Sequence, residues 1–310
     1  MSHTTLQQLR QNITSVYMGN TNAVDRLLIC LLARGHLLIE DVPGVGKTVL
    51  AGALARSLDG AFSRIQCTPD LLPSDITGVT IYDRDQQEFQ FKPGPIFNNI
   101  VVADEINRTT PRTQSALLEA MNEDTVSLDG TTHELPRPFM VIATQNPYEF
   151  EGTYTLPENQ LDRFLMRFGL GYPAPSDEAR IVQHQPARTT LRSLEPVMDI
   201  ETIIELQARV DAVKIDPALV EYILQLASAT REHDDLLVGI SPRGSIAMAQ
   251  AARATAVLDD RDYCVPEDIV SNVLQVCAHR VISKSAMHDG DTTTTRRIMQ
   301  QVLETIQSPA

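Results

Sequence analysis

The 310-residue sequence predicts an α/β domain, with a parallel sheet sandwiched by helices, followed by a smaller all-helical domain. Three observations lead there. Short apolar runs at Leu37-Leu38-Ile39, Ile100 to Ala103 and Val141-Ile142-Ala143 are separated by stretches of helical spacing. That alternation makes a sheet covered on both faces. From about residue 176 onward, β-branched runs are scarce and the apolar spacing is helical. Between these regimes, Gly171-Tyr172-Pro173-Ala174-Pro175 breaks the pattern. The expected division is therefore 1–172 for the α/β unit and 173–310 for a linker and the helical unit.

The first run leads into Asp41-Val42-Pro43-Gly44-Val45-Gly46-Lys47-Thr48, and Val49-Leu50-Ala51 with Leu54 and Ala55 continues as a helix. In a strand, glycine-rich loop and helix of this kind, backbone N–H groups converge on a phosphate, aided by the positive end of the helix dipole. Lys47 is placed to span the β- and γ-phosphates, and the Thr48 hydroxyl to ligate Mg²⁺. Asp41 stands where the usual pattern has Gly, but Gly44, Gly46, Lys47 and Thr48 are intact. A glycine-rich turn that binds nothing is the alternative, and the flanking strand and helix weigh against it. Candidate nucleotide contacts along the loop are Asp41, Pro43, Gly44, Val45, Gly46, Lys47, Thr48 and Val49.

The second run ends in Asp104-Glu105. Paired carboxylates can divide the labour of hydrolysis, Asp104 holding Mg²⁺ through its water shell and Glu105 polarising the attacking water. Alone, the pair would equally suit the cap of a following helix. The third run ends in Thr144-Gln145-Asn146-Pro147, where Asn146 could orient that water or simply close a turn before Pro147.

Two hairpins interrupt the α/β unit: Thr125 to Leu135, with Asp129-Gly130 as a type I′ turn signal, and Thr80 to Phe91, with Ile81, Tyr82, Phe89 and Phe91 around a polar turn. In the helical part, Asp216-Pro217 and Ser241-Pro242 are N-cap and first-turn signals. After the former, Val220, Ile223, Leu224 and Ala227 make one expected apolar stripe. The latter puts Arg243 in a first helical turn, unfavourable against the helix dipole unless an anion compensates.

The three strand ends, in this order, resemble the AAA+ ATPases, and the finer resemblance is to the MoxR family. It is carried by Thr68 to Gly78 (TPDLLPSDITG), by Asp104-Glu105-Ile106-Asn107-Arg108 continuing through Gln114 to Met121, and by Ala143 to Pro147 running on through Glu151-Gly152-Thr153-Tyr154 to Leu161-Asp162-Arg163-Phe164. It covers roughly residues 10 to 285. The resemblance implies an ATPase using ATP and Mg²⁺, assembled as a hexameric ring and acting as a chaperone-like remodeller. It further implies a partner carrying a von Willebrand factor A domain and a role in maturing metalloenzymes or complexes. Arg163 would act in trans on a neighbour's γ-phosphate, with Arg108, Arg112 and Arg167 as rivals, and Arg243 would be the second sensor reaching the γ-phosphate from the lid. The hairpins would move against the partner. Met18 and Gly19, within Tyr17-Met18-Gly19-Asn20, would lie where this fold grips adenine.

Composition narrows the partners. With 40 acidic against 26 basic residues the net charge is −14, whereas a nucleic-acid groove normally brings a basic excess. A nucleic-acid motor is thus the weaker alternative, and a regulatory nucleotide switch is countered by the intact Glu105. Cys30, Cys67, Cys264 and Cys277 have no metal-ligand spacing and read as buried thiols. The N-terminus is polar, without an apolar core of signal-peptide length, and no run approaches a membrane span, so a cytoplasmic protein is expected.

Overall fold

A computed structural model describes residues 2–147, 152–186, 190–285 and 292–309. Its centre is a five-stranded sheet of β1 (Leu37–Glu40), β2 (Phe62–Gln66), β3 (Ile100–Asp104), β4 (Met140–Gln145) and β5 (Met166–Phe168), in the order β5-β1-β4-β3-β2. Every pairing within it is parallel. The apolar runs supply this because successive side chains alternate between faces, and each face is covered. Leu37, Ile39, Ile100, Val102, Met140 and Ile142 enter one core, while Leu38, Val101, Ala103, Val141 and Ala143 enter the other. With β1, β4 and β3 adjacent, their carboxyl ends bring the glycine-rich loop, Asn146 and the Asp104-Glu105 pair side by side.

Both expected hairpins form. Thr125–Leu128 pairs with Thr131–Glu134 across Asp129 and Gly130, whose φ angles of 50° and 79° suit the type I′ turn. Gly78–Asp83 pairs with Glu88–Pro93. At its base Gly78 has φ 97°, and a Cβ there would lie 2.3 Å from the Lys92 carbonyl oxygen. Phe89 is 74% exposed beside Tyr82. Phe91, expected to share that outer surface, instead turns inward and packs on Phe97 and His133, joining the two hairpins.

Helices dominate after residue 199: Ile200–Ala212, Pro217–Glu232, Pro242–Leu258, Pro266–Val270, Val273–Cys277 and Thr292–Thr305. Asp216 accepts from the Ala218 N–H and Ser241 from the Gly244 N–H, as capping residues do. The stripe of the Pro217 helix is corrected by about one residue: Leu219, Tyr222, Ile223, Leu226 and Ala227 are buried, whereas Val220 and Leu224 are exposed. The helix had two apolar rows available, and packing against the neighbouring helices chose between them.

Among the described residues, no lid side chain lines the space around the glycine-rich loop. The lid packs at the amino-terminal edge of the sheet, where the Leu165 N–H donates to the His36 carbonyl just before β5 and β1 begin. There Gln207 donates to the Leu31 carbonyl (2.7 Å), Arg34 pairs with Asp211 (2.8 Å), and buried Arg280 donates to Asp162 Oδ1 (2.8 Å) and to the Phe164 and Leu165 carbonyls. The connecting chain starts at the other edge with a helix, Pro175–His184. It then descends along the Lys47–Ser57 helix, with Leu191 against Gly52 and Met198–Asp199 paired to Leu58–Asp59.

Candidate nucleotide site

The loop is shaped by two residues with positive φ, Gly44 (88°) and Gly46 (94°). Gly46 is the N-cap of the Lys47–Ser57 helix and no side chain caps that helix, so its first-turn N–H groups remain to meet an anion. Asp41 is explained locally: its carboxylate accepts from the Val42 and Gly171 N–H groups, both at 2.7 Å, tying the loop to the chain leaving β5. The Lys47 ammonium donates to the Asp41 carbonyl (2.5 Å) and the Gln145 carbonyl (3.0 Å) across the ends of β1 and β4. Burial lowers the Lys47 pKa from its ordinary value, opposed by the carboxylates of Asp41, Glu105, Asp104 and Glu40.

Asp104 is buried at the end of β3. Its Oδ1 accepts from the Thr48 hydroxyl (3.1 Å) and the Thr144 hydroxyl (3.3 Å), and its Oδ2 from Arg64 Nε (2.6 Å). Glu105 has φ 58°, a left-handed conformation uncommon for a residue with a side chain. Its N–H donates to the Thr144 hydroxyl (3.0 Å), and its carboxylate accepts from Arg108 (3.1 Å) and Gln66 (3.3 Å). The Asn146 carbonyl accepts from the Asn107 side chain at 3.2 Å.

These groups surround one cleft of about 300 Å³, lined by Pro43, Gly44, Gly46, Lys47, Thr48, Val49, Arg64, Gln66, Asp104, Glu105, Thr144 and Asn146. Chemically it offers loop N–H donors and an ammonium for phosphate, a hydroxyl and a carboxylate for a hard cation, and a second carboxylate able to take a proton. Beside it is a mainly apolar cavity of about 340 Å³ lined by Tyr17, Met18, Val45, Val49, Pro173, Ile181 and Gln185, among others. That lining fits a flat base. Gly19 is near but does not line it; a Cβ there would meet the Tyr17 ring at 2.6 Å, so glycine lets the ring settle. The Tyr17 hydroxyl has its pKa pushed up to about 12 by burial and, next, by the Asp41 charge.

Arg163 and Arg243 are not brought to this cleft within the chain. Arg163 donates to the Leu118 carbonyl (2.5 Å), and Arg243 bonds to the Asn122 side chain and lies 3.7 Å from Asp162. Both therefore stand at the amino-terminal edge of the sheet, together with the lid. Arg167 is committed to a buried ion pair with Glu40 (2.5 Å) and Arg108 to Glu105. Arg64 and Gln66 escaped the sequence reading, in which Thr144 and Tyr17 figured only as neighbours of Asn146 and Met18. For Arg64 and Gln66 a signal was present: two polar residues at i and i+2 on a strand beside Asp104, sharing one face.

Comparison with known proteins agrees with the geometry. Residues 36–166 match the model described as "ATPase family associated with various cellular activities (AAA)", and residues 228–302 match "AAA lid domain". The chain is 51% identical to the uncharacterized protein YeaC of Bacillus subtilis over 86% of this chain and 83% of that one. It is 38% identical to chaperone MoxR1 of Mycobacterium tuberculosis over 98% of this chain and 82% of that one. A crystal structure of a candidate ATPase from Cytophaga hutchinsonii superposes with a TM-score of 0.90 at 36% identity, covering 100% of this chain and 96% of that one. The chain belongs to the MoxR family of AAA+ ATPases, and its chemistry is the hydrolysis of ATP.

Proposed function

We propose that the protein spends ATP on chaperone-like remodelling or maturation of a partner protein, working in the cytoplasm as a hexameric ring with a partner that carries a von Willebrand factor A domain. In this reading residues 1–172 form the nucleotide-binding unit and 173–310 the linker and lid. The loop from Asp41 to Val49 cradles the phosphates, with Lys47 as its cation, while Tyr17, Met18 and Gly19 shape the base cavity. Thr48 and Asp104 would hold Mg²⁺, which neutralises phosphate charge when bound. Glu105 accepts the proton of the attacking water and Asn146 orients that water. Arg163 and Arg243 serve the site of the next subunit.

The observation that carries the remodelling role is the mechanical line from the site to an apolar surface. β4, whose end bears Asn146, is preceded by the Thr125–Glu134 hairpin, and His133 of that hairpin stacks on Phe91 of the hairpin that exposes Phe89 and Tyr82. Strand movement at the site thus has a packed route to aromatic side chains facing outward. Capture with Glu105→Gln, loaded with ATP, tests this: a partner retained by the trap should be lost when Phe89→Ser is added. Retention of the same partner with Phe89 replaced overturns the assignment of that surface.

A further inference from the structure

Asp104 meets a cation before any metal arrives. Arg64 Nε lies 2.6 Å from Asp104 Oδ2, while the Thr48 and Thr144 hydroxyls use Oδ1. The Asp104 side chain is 5% exposed, so its charge must be compensated from within the protein. The Arg64 side chain, by contrast, is 54% exposed, and it lines the same cleft as Lys47, Thr48 and Glu105.

We propose that Arg64 is a resident counter-cation for Asp104, a positioning residue that competes with Mg²⁺ and swings from the carboxylate into the cleft when the nucleotide complex binds. The inference rests on the reading that Thr48 and Asp104 hold the ion. Three features favour Arg64 as the group that yields. It sits on β2, an edge strand, with its guanidinium half in solvent, so leaving the carboxylate costs it little desolvation. Ile65 faces the core and fixes the strand, while Arg64 and Gln66 share the opposite face; Arg64 holds Asp104 and Gln66 holds Glu105. Thr48 and Thr144, in contrast, are fixed by the Lys47 helix and by β4. Once displaced, the guanidinium remains in the cleft, where its donors suit phosphate oxygens. The apo protein thereby avoids a buried uncompensated carboxylate and keeps the ion's position ready at the cost of a competitor.

The test is the affinity for a non-hydrolysable ATP analogue, by calorimetry, across a series of free Mg²⁺ concentrations, in the wild type, Arg64→Gln, Arg64→Lys and Thr48→Ala. Removing the competitor in Arg64→Gln should lower the Mg²⁺ concentration at half effect about tenfold, as loss of one charge-assisted bond implies. Arg64→Lys, which keeps a cation, should stay within about threefold of wild type. Without nucleotide, Arg64→Gln should melt below wild type in chelator and recover more on adding Mg²⁺ alone. If the midpoint is unchanged or raised in Arg64→Gln, while Thr48→Ala abolishes the Mg²⁺ effect, Arg64 is not the competitor and the ion site stands. If Thr48→Ala keeps the wild-type Mg²⁺ dependence, the ion site itself is misplaced and the proposal falls with it. Should Arg64→Gln not fold, Arg64→Met, which keeps the apolar stem without the charge, takes its place: a Mg²⁺ midpoint lowered about tenfold supports the role, and an unchanged or raised midpoint overturns it.

Discussion

Phe91 stacks on His133 with ring centroids 4.1 Å apart and planes 21° from parallel, so the two hairpins of the α/β unit are packed against each other. Phe89, two residues nearer the hairpin's turn on the same face, touches only Tyr82 among the described aromatic rings and is 74% exposed. Polar replacement should separate them. Phe91→Ser should cost about 1–2 kcal/mol of stability through lost aromatic packing, whereas Phe89→Ser should melt within about 0.5 kcal/mol of wild type and keep the basal ATPase rate. Thermal melts and steady-state turnover, measured on both variants, check this. Equal destabilisation would mean that the turn end of the hairpin is packed too.

Lys47→Ala should weaken ATP binding at least tenfold, because the cleft loses the cation that bridges the ends of β1 and β4. Glu105→Gln should bind ATP normally and turn over at least a hundredfold more slowly, since an amide cannot take the proton. Calorimetry and single-turnover kinetics distinguish the two losses. For Asn146→Ala the split between rate and melting temperature is informative: Asn146 is only 7% exposed, and a fall in stability with unchanged turnover would make it a turn residue.

The placement of Arg163 and Arg243 away from the chain's own cleft leads to a mixing experiment. Arg163→Ala should bind ATP in its own loop but fail to hydrolyse it across a ring. Inactive Arg163→Ala and inactive Lys47→Ala subunits, mixed under conditions where exchange is seen by fluorescence transfer, should regain activity, because the second lends its intact Arg163 to the first. An arginine supplied in trans is worth about 10³ or more in rate, so a minority of mixed interfaces suffices. No activity above the parents at any ratio would remove Arg163 from that role.

The buried His36 gives a pH dependence. Its Nε2 donates to the Met121 carbonyl (2.9 Å) and its Nδ1 accepts from the Val141 N–H (3.0 Å), an arrangement that needs the neutral ring. Burial lowers its pKa from 6.5. The unfolded chain therefore binds a proton that the folded one refuses, and stability present above about pH 6.5 is lost as the pH falls below it, by at most about 1.4 kcal/mol per unit for this histidine. Denaturant midpoints from pH 7.5 to 5 should show the slope, and a flatter one is expected in His36→Asn.

The parts legible in the sequence were those with local causes. The apolar runs set the strands, Asp129-Gly130 set one turn, and the two glycines set the bend of the loop before the Lys47 helix, each through chain chemistry a few residues long. What escaped depends on distance in the chain. Thr144 and Arg64 meet Asp104 from 40 residues away on either side, and the lid's seat at the amino-terminal edge follows from packing of Gln207, Asp211 and Arg280 on residues 31, 34 and 162–165. Arg243 showed the limit clearly. Its place in a first helical turn was readable, but the direction in which the whole lid carries it was not.

The left-handed backbone at Glu105 sets working capacity against durability. A side-chain-bearing residue held there costs roughly 1–2 kcal/mol that glycine would not. On the role proposed for Glu105, a selection for heat resistance alone would thus be drawn toward replacing it, and would return a sturdier protein that holds its nucleotide and no longer consumes it. Variant libraries of this chain are better sorted by turnover before they are sorted by melting temperature.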